Sequence, residues 1–149
     1  MFGFFKKRLF RRMIGYVDAI KIVVYTKLWP KLAEQHAEDQ AKQLSAAVVN
    51  RLFGSAVSPM HENIPATLID ELGTDFLRNE KDKDLLHGIV MSLRTLMTVE
   101  TDARNTGAMN RISDTVQWVK TIIPLPPEAP NPNTMERLAA MLQSRYCEQ

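Results

Sequence analysis

The sequence predicts an all-α fold, a compact bundle of about six helices, and three observations carry that prediction. Every long segment repeats its apolar residues at steps of three and four, which lays one stripe along a 3.6-residue helix. Prolines gather between those segments, at Pro30, Pro59, Pro65 and from Pro124 to Pro132. No dense alternation of β-branched residues marks a strand, and six glycines in 149 residues are few for a sheet protein. That length predicts one domain, 1–149, burying roughly 70% of the surface its unfolded chain exposes. Hydrophobic residues make up 45% and charged residues 24%, the balance of an ordinary globular chain.

Met1 to Trp29 reads as a basic amphipathic helix with an aromatic tip. Phe2, Phe5, Leu9, Met13, Tyr16, Val17, Ile20, Val23 and Val24 fall within about a third of its circumference at 100° per residue. Lys7, Arg11 and Asp18 point the other way. Trp29-Pro30 predicts the helix end, because the residue before a proline is pushed out of the α region. Asp18, Lys21 and Lys27 cut the apolar run into Met13–Val17 and Ile22–Thr26. Those pieces are too short for a transmembrane span of about 20 residues and too broken for a secretory signal. An organellar transit peptide would share the basic amphipathic character, but the segment contains no serine.

Lys31 to Gly54 predicts a second long helix, with Leu32, His36, Ala37, Ala41, Leu44, Val48 and Leu52 on one side and Gly54 as its stop. Its alanines allow close approach of a neighbour. Its acidic side, Glu34, Glu38 and Asp39, suits an antiparallel hairpin against the basic first helix. Ser55 to Pro65 reads as a loop, and Pro65 opens a short helix that buries Leu68, Ile69, Leu72, Phe76 and Leu77.

After a turn at Asn79–Lys83, the residues from Asp82 to Arg104 form the expected central helix. Leu85, Leu86, Ile89, Val90, Leu93, Leu96 and Met97 make a stripe wide enough for two or three neighbours. Lys83, Ser92, Arg94, Thr95 and Asp102 fall off it and are expected to stay wet. Asp82 and Asp84 suit the first turn, and Asn105 and Gly107 offer a left-handed stop. Met109, Ile112, Val116, Val119 and Ile123 predict a fifth helix closed by Pro124, with Trp118 half-exposed beside it. Residues 125–133 then form a proline-rich strap, extended and semi-rigid. Asn133 with Glu136 is the expected capping pair of a last helix, 134–147, carrying Met135, Leu138, Leu142 and Tyr146.

Charge is segregated. Residues 1–31 carry eight basic side chains against Asp18, a net +7, while the remaining 118 carry 11 basic against 16 acidic, a net −5. This predicts an anionic partner for the N-terminal helix or its docking on the acidic body. The apolar term is the larger: seven large side chains are worth about 10–20 kcal/mol when buried, against about 1 kcal/mol per cation near anionic lipid. That stripe therefore has to be covered by the fold, a subunit, a partner or a membrane surface.

Enzymatic motifs are absent: there is no Gly-rich phosphate loop, nucleophile elbow, HExxH or CxxC. Asp70 and Glu71 are adjacent, so on a helix they diverge by about 100° and make a poor acid/base dyad. Cys147, the one cysteine, excludes an intramolecular disulfide and fits a reducing, cytoplasmic setting. Asp84 and His87 have the i, i+3 spacing of helical-bundle metal sites, but one pair without its mate falls short of a site. No cofactor is expected. The PxxP spacing from Pro124 to Pro130 can serve a groove-binding domain, though a strap between helices is the commoner use.

The expected function is a non-catalytic interaction or accessory role, with self-association or a protein partner engaged by the N-terminal helix. Phe2, Phe5, Leu9, Met13, Tyr16 and Ile20 would be the apolar anchors, and Lys7, Arg8, Arg11 and Arg12 the electrostatic part. The alternative is a peripheral protein that binds anionic lipid with the same residues. For nucleic acid, the cations would neutralise phosphates and Phe2, Phe4, Phe5 and Phe10 would stack on bases. The acidic body and the lack of a basic recognition helix disfavour that reading.

Overall fold

The N-terminal helix α1 is the longest element, Phe2–Leu32, about 46 Å of helix at 1.5 Å per residue. It belongs to a computed structural model that describes the chain apart from residues 1, 126, 127, 148 and 149. Five more helices follow: α2 Glu38–Leu52, α3 Ala66–Asn79, α4 Lys83–Asp102, α5 Thr106–Lys120 and α6 Pro132–Tyr146, with a short 3-10 turn at Pro59–His61. The all-α bundle predicted from periodicity is the fold observed.

Side-chain contacts give the directions. Lys42 lies over the Trp29 ring and Lys21 over the Phe53 ring, so α2 runs antiparallel to α1. Lys27 meets Glu80 and Lys6 meets Asp102, so α4 also runs antiparallel and accompanies α1 along most of its length. Cys147 lies near Thr26, and a side chain at Gly88 would touch both Leu142 and Ile20, so α6 runs parallel to α1. α4 packs on α1, α5 and α6 as the expected central helix, and α1 shares that place by packing on α2, α4 and α6.

α1 does not stop at Trp29. It continues through Pro30 to Leu32, and the chain turns over Ala33–Ala37. A proline in the last turn removes one intrahelical hydrogen bond, while the buried Leu28 and the Trp29–Lys42 contact hold that turn in place. Lys31 and Leu32 therefore belong to α1, His36 to the turn, and α2 begins at Glu38. Glu34, Glu38 and Asp39 do not face the basic tip. They lie at the opposite end of α1, and Glu38 pairs with Lys42 on its own helix.

Both left-handed residues among those described end helices. Gly54, φ 67°, follows α2, with the Ser55 N–H donating to the Asn50 carbonyl and the Gly54 N–H to Arg51. Arg104, φ 56°, ends α4 in the same pattern, so the stop is neither Asn105 nor Gly107. Asn105 instead caps α5, accepting from the Ala108 N–H. Asp82 is the cap of α4, one residue ahead of its first turn. Asn131, not Asn133, caps α6, and Pro132 takes the first helical position where its missing N–H costs nothing. α5 ends at Lys120, ahead of Pro124.

The core also differs from the expected stripes in width. Ser92 and Thr95 are buried rather than wet, because α4 is flanked by three helices and hides a broader arc. The Thr95 hydroxyl donates to the Met91 carbonyl, while the Ser92 hydroxyl has no partner among the described residues. Trp118 packs on Gly73, where an added Cβ would stand 2.6 Å from the ring, and its Nε1 donates to the Thr74 hydroxyl.

Candidate functional site

Unequal helix lengths create the most distinctive surface. Phe53, just past the end of α2, is level with Lys21 of α1. Leu142 of α6 is level with Ile20, and Pro132 begins α6 ten residues earlier, about 15 Å down the axis and close to the level of Phe10. Below that level, among the described residues, the last turns of α4 remain beside α1, where Lys6 pairs with Asp102. The first two turns of α1 form an overhang.

That overhang is aromatic and cationic. Phe4 is 68% exposed and Phe5 62%, with ring centroids 5.9 Å apart in an edge-on pair. Leu9 and Phe10 are half-buried, and Lys6 also lies over the Phe10 ring. Lys7, Arg8, Arg11 and Arg12 are all exposed, and no acidic residue precedes Asp18. Phe5, Arg8, Leu9, Arg11 and Arg12 line an open hollow on the helix surface. At 100° per residue Phe4 projects among the cations, about 100° round the axis from Phe5.

The structure divides the predicted contact residues. Phe5, Leu9, Lys7, Arg8, Arg11 and Arg12 lie on the overhang or at its base. Met13 and Ile20 are 5% and 0% exposed, and Tyr16 is half-buried against the same core. These three pack into the chain's own core, because α4 and α6 cover the stripe at their level. The Phe2 side chain lies outside what the structure describes. Phe4, named in sequence only as a base-stacking candidate, joins the site. Its signal was an aromatic lying off the apolar stripe between basic residues.

Asp84 and His87 do not converge. Asp84 faces Arg145 at 3.4 Å, while the His87 Nε2 lies 3.2 Å from Glu128 on the strap. Among the described residues no three His, Cys, Asp or Glu side chains gather in a metal-holding group. His87 and Arg94, whose guanidinium donates to the Glu128 carbonyl, fasten the strap to α4. Pro126 and Pro127 of the PxxP stretch lie outside the described residues. Cys147 is exposed, with its Sγ 4.0 Å from the Thr26 hydroxyl.

A second concavity, about 320 Å³, opens between α2, the 3-10 turn, α3 and α5. Its polar wall is centred on Arg51. The Arg51 Nε donates to Asp70 at 2.8 Å, and Nη1 donates to the Thr115 hydroxyl at 2.9 Å and approaches Asp114 at 3.3 Å. The guanidinium stacks on Trp118, 4.4 Å from the ring centre. Arg51 thereby ties three helices together. His61 lines the same concavity, buried, with its Nδ1 unpartnered among the described residues.

At the far end of α1 lies a polar cluster. Lys27 donates to both Glu80 oxygens at 2.7 and 2.8 Å and lies 4.3 Å from the Tyr146 ring centre. Asp82 accepts from Arg145 at 2.6 Å and from the Tyr146 hydroxyl. Burial alone would raise the Asp82 carboxyl, but the bonds from Tyr146 and Arg145 outweigh it and hold the group below the usual carboxylate range. Burial, with Asp82 beside it, pushes the Tyr146 hydroxyl up. These groups join α1, α4 and α6 to one another. Among the described residues no helix is long and apolar enough to cross a membrane. Comparison with protein-family models, with curated proteins and with solved structures finds no match to this chain.

Proposed function

We propose that this protein is a non-catalytic interaction or accessory protein that docks through the overhang of α1. The observation that carries the reading is that the amphipathic helix runs past the ends of α2 and α6, leaving Phe4 and Phe5 exposed among Lys7, Arg8, Arg11 and Arg12. Each phenylalanine is worth about 1.5–3 kcal/mol when fully buried. The helix is already formed, so its order is not an added cost of binding. A second copy, a partner protein or a lipid surface would each gain from the same two terms, apolar burial and neutralisation of cations. Elsewhere Arg51, Asp70, Asp82, His87 and Glu128 are taken up in pairs that join one element to another. The single cysteine fits a cytoplasmic setting.

The test is the full-length chain carrying Phe4→Ser and Phe5→Ser together. Both positions are exposed, so the thermal melting midpoint should stay within about 2 °C of the unsubstituted protein. Association read by sedimentation velocity, alone and with lipid vesicles, should fall sharply. Equal melting with unchanged sedimentation in both settings would remove the docking reading.

A further inference from the structure

We infer that the surface on which the overhang docks is an anionic lipid bilayer, entered by Phe4 and Phe5 with Lys7, Arg8, Arg11 and Arg12 at the headgroup level. This rests on the docking reading and names its partner.

Area argues first. A phenylalanine contributes roughly 150–250 Å² when buried, and the two rings here are already about a third covered. Together they offer roughly 200–300 Å², short of the roughly 450 Å² of apolar surface within the about 800 Å² per partner that a specific protein interface buries. A bilayer needs no matching shape, and it accepts a small apolar tip so long as charge assists.

The arrangement of charge argues second. Lys7, Arg8, Arg11 and Arg12 project over more than a third of a turn around the axis rather than along one edge. A protein groove would leave some of these cations unpaired and desolvated, while a headgroup layer surrounds the helix end with phosphates. A tip-to-tip contact between two copies would bring like charges together.

Orientation argues third. Residues 1–17 carry five basic and no acidic side chains, a net +5, while the remaining 132 carry 14 basic against 17 acidic, a net −3. A negative surface attracts the tip and repels the body, so the molecule approaches with the overhang forward. Asp102 reinforces this by partnering Lys6, which draws the base of the overhang onto α4 and leaves the other four cations facing outward.

The experiment is co-sedimentation of the full-length protein with two kinds of vesicle, phosphatidylcholine alone and phosphatidylcholine mixed with phosphatidylserine, at low and high salt. Binding should require phosphatidylserine and weaken with salt. Arg11→Gln with Arg12→Gln should lower affinity about 25-fold, at about fivefold per cation. Phe4→Ser and Phe5→Ser should each lower it at least about tenfold. Soluble glycerophosphoserine, a headgroup without chains, should not compete, which separates a bilayer from a free phosphate ester.

Equal binding to both kinds of vesicle, or full competition by glycerophosphoserine, would overturn the bilayer assignment. A protein that ignores vesicles but sediments as an oligomer dispersed by the phenylalanine substitutions would overturn it too, while leaving the docking reading in place. Failure to bind vesicles together with a salt-sensitive shift of single-stranded nucleic acid would replace lipid by that partner. No vesicle binding and no association of any kind would end both readings.

Discussion

The two ends of α1 carry the same amphipathic pattern and meet different surroundings. At the C-terminal end, Lys27 sits between Glu80 and the Tyr146 ring, and Asp82 caps α4 while accepting from Arg145 and Tyr146. Three helices are joined there, and the Glu80 and Asp82 side chains are only 8% and 12% exposed. At the N-terminal end one ion pair, Lys6–Asp102, links α1 to α4, and its side chains remain 52% and 41% exposed. Such exposed pairs contribute about 0–1 kcal/mol. The difference arises because α2 and α6 are half as long as α1: α2 lies against its C-terminal part, and α6 begins only near the level of Phe10. An end that many elements cover supplies stability. An end that few cover stays available for contact, and openings of lowest free energy are expected there.

Like-for-like substitutions should break this comparison open, and the largest effect is in the apolar layer. Leu142→Ala empties a fully buried site between α6, α4 and α1, next to Ile20 and Gly88. It should cost about 3 kcal/mol. Leu9→Ala makes the same chemical change at the base of the overhang, where the side chain is half-exposed, and should cost less than about 1 kcal/mol. Chemical denaturation of both variants measures the gap. Equal losses would mean that the overhang is covered as well as the core.

The two lysines give a second, smaller contrast. Lys27→Ala leaves Glu80, only 8% exposed, without its ammonium partner. Lys27 is itself about a quarter exposed, so the loss falls below that of a fully buried pair, at about 2 kcal/mol. Lys6→Ala frees Asp102 to water and should change stability by less than about 0.5 kcal/mol. The same denaturation series reads both, and a loss at Lys6 equal to that at Lys27 would contradict the open-end description.

What the sequence shows and what it hides follow from the same contrast. Met13 and Ile20 share a stripe with Phe5 and Leu9, and periodicity cannot separate them. Only the level at which α6 begins assigns the first two to the core and leaves the others at the rim. Pro30 was legible as a break, yet the local rule lost to packing of Leu28 and Trp29, and this moved the start of α2. Ser92 and Thr95 read as wet because one stripe was assumed, whereas a helix with three neighbours buries a wider arc. The Arg51 network was out of reach, since Asp70, Asp114, Thr115 and Trp118 lie far along the chain and no spacing rule links them. The helix count, the Gly54 stop and the segregated basic tip were readable because each depends on local residues alone.

The smallest effect carries a pH signature. Asp82→Asn keeps a side chain able to cap α4 but removes the charge that Arg145 and Tyr146 address. Near neutral pH the cost should be about 1 kcal/mol, below the about 1.5–3 kcal/mol of a hydrogen bond to a charged group because the Arg145 side chain is 39% exposed. The folded state holds the Asp82 carboxyl below its ordinary value. Its stabilisation is therefore fully present above the unfolded value, about 3.9, and is lost as pH falls through the lower folded value. The stability difference between the native chain and Asp82→Asn should thus be constant from neutral pH down to about pH 5 and shrink below about pH 4. Urea denaturation of both chains across that range supplies the curves. A difference that stayed flat into strong acid would show that the carboxylate at the closed end is not the charged hub joining α4 to α6.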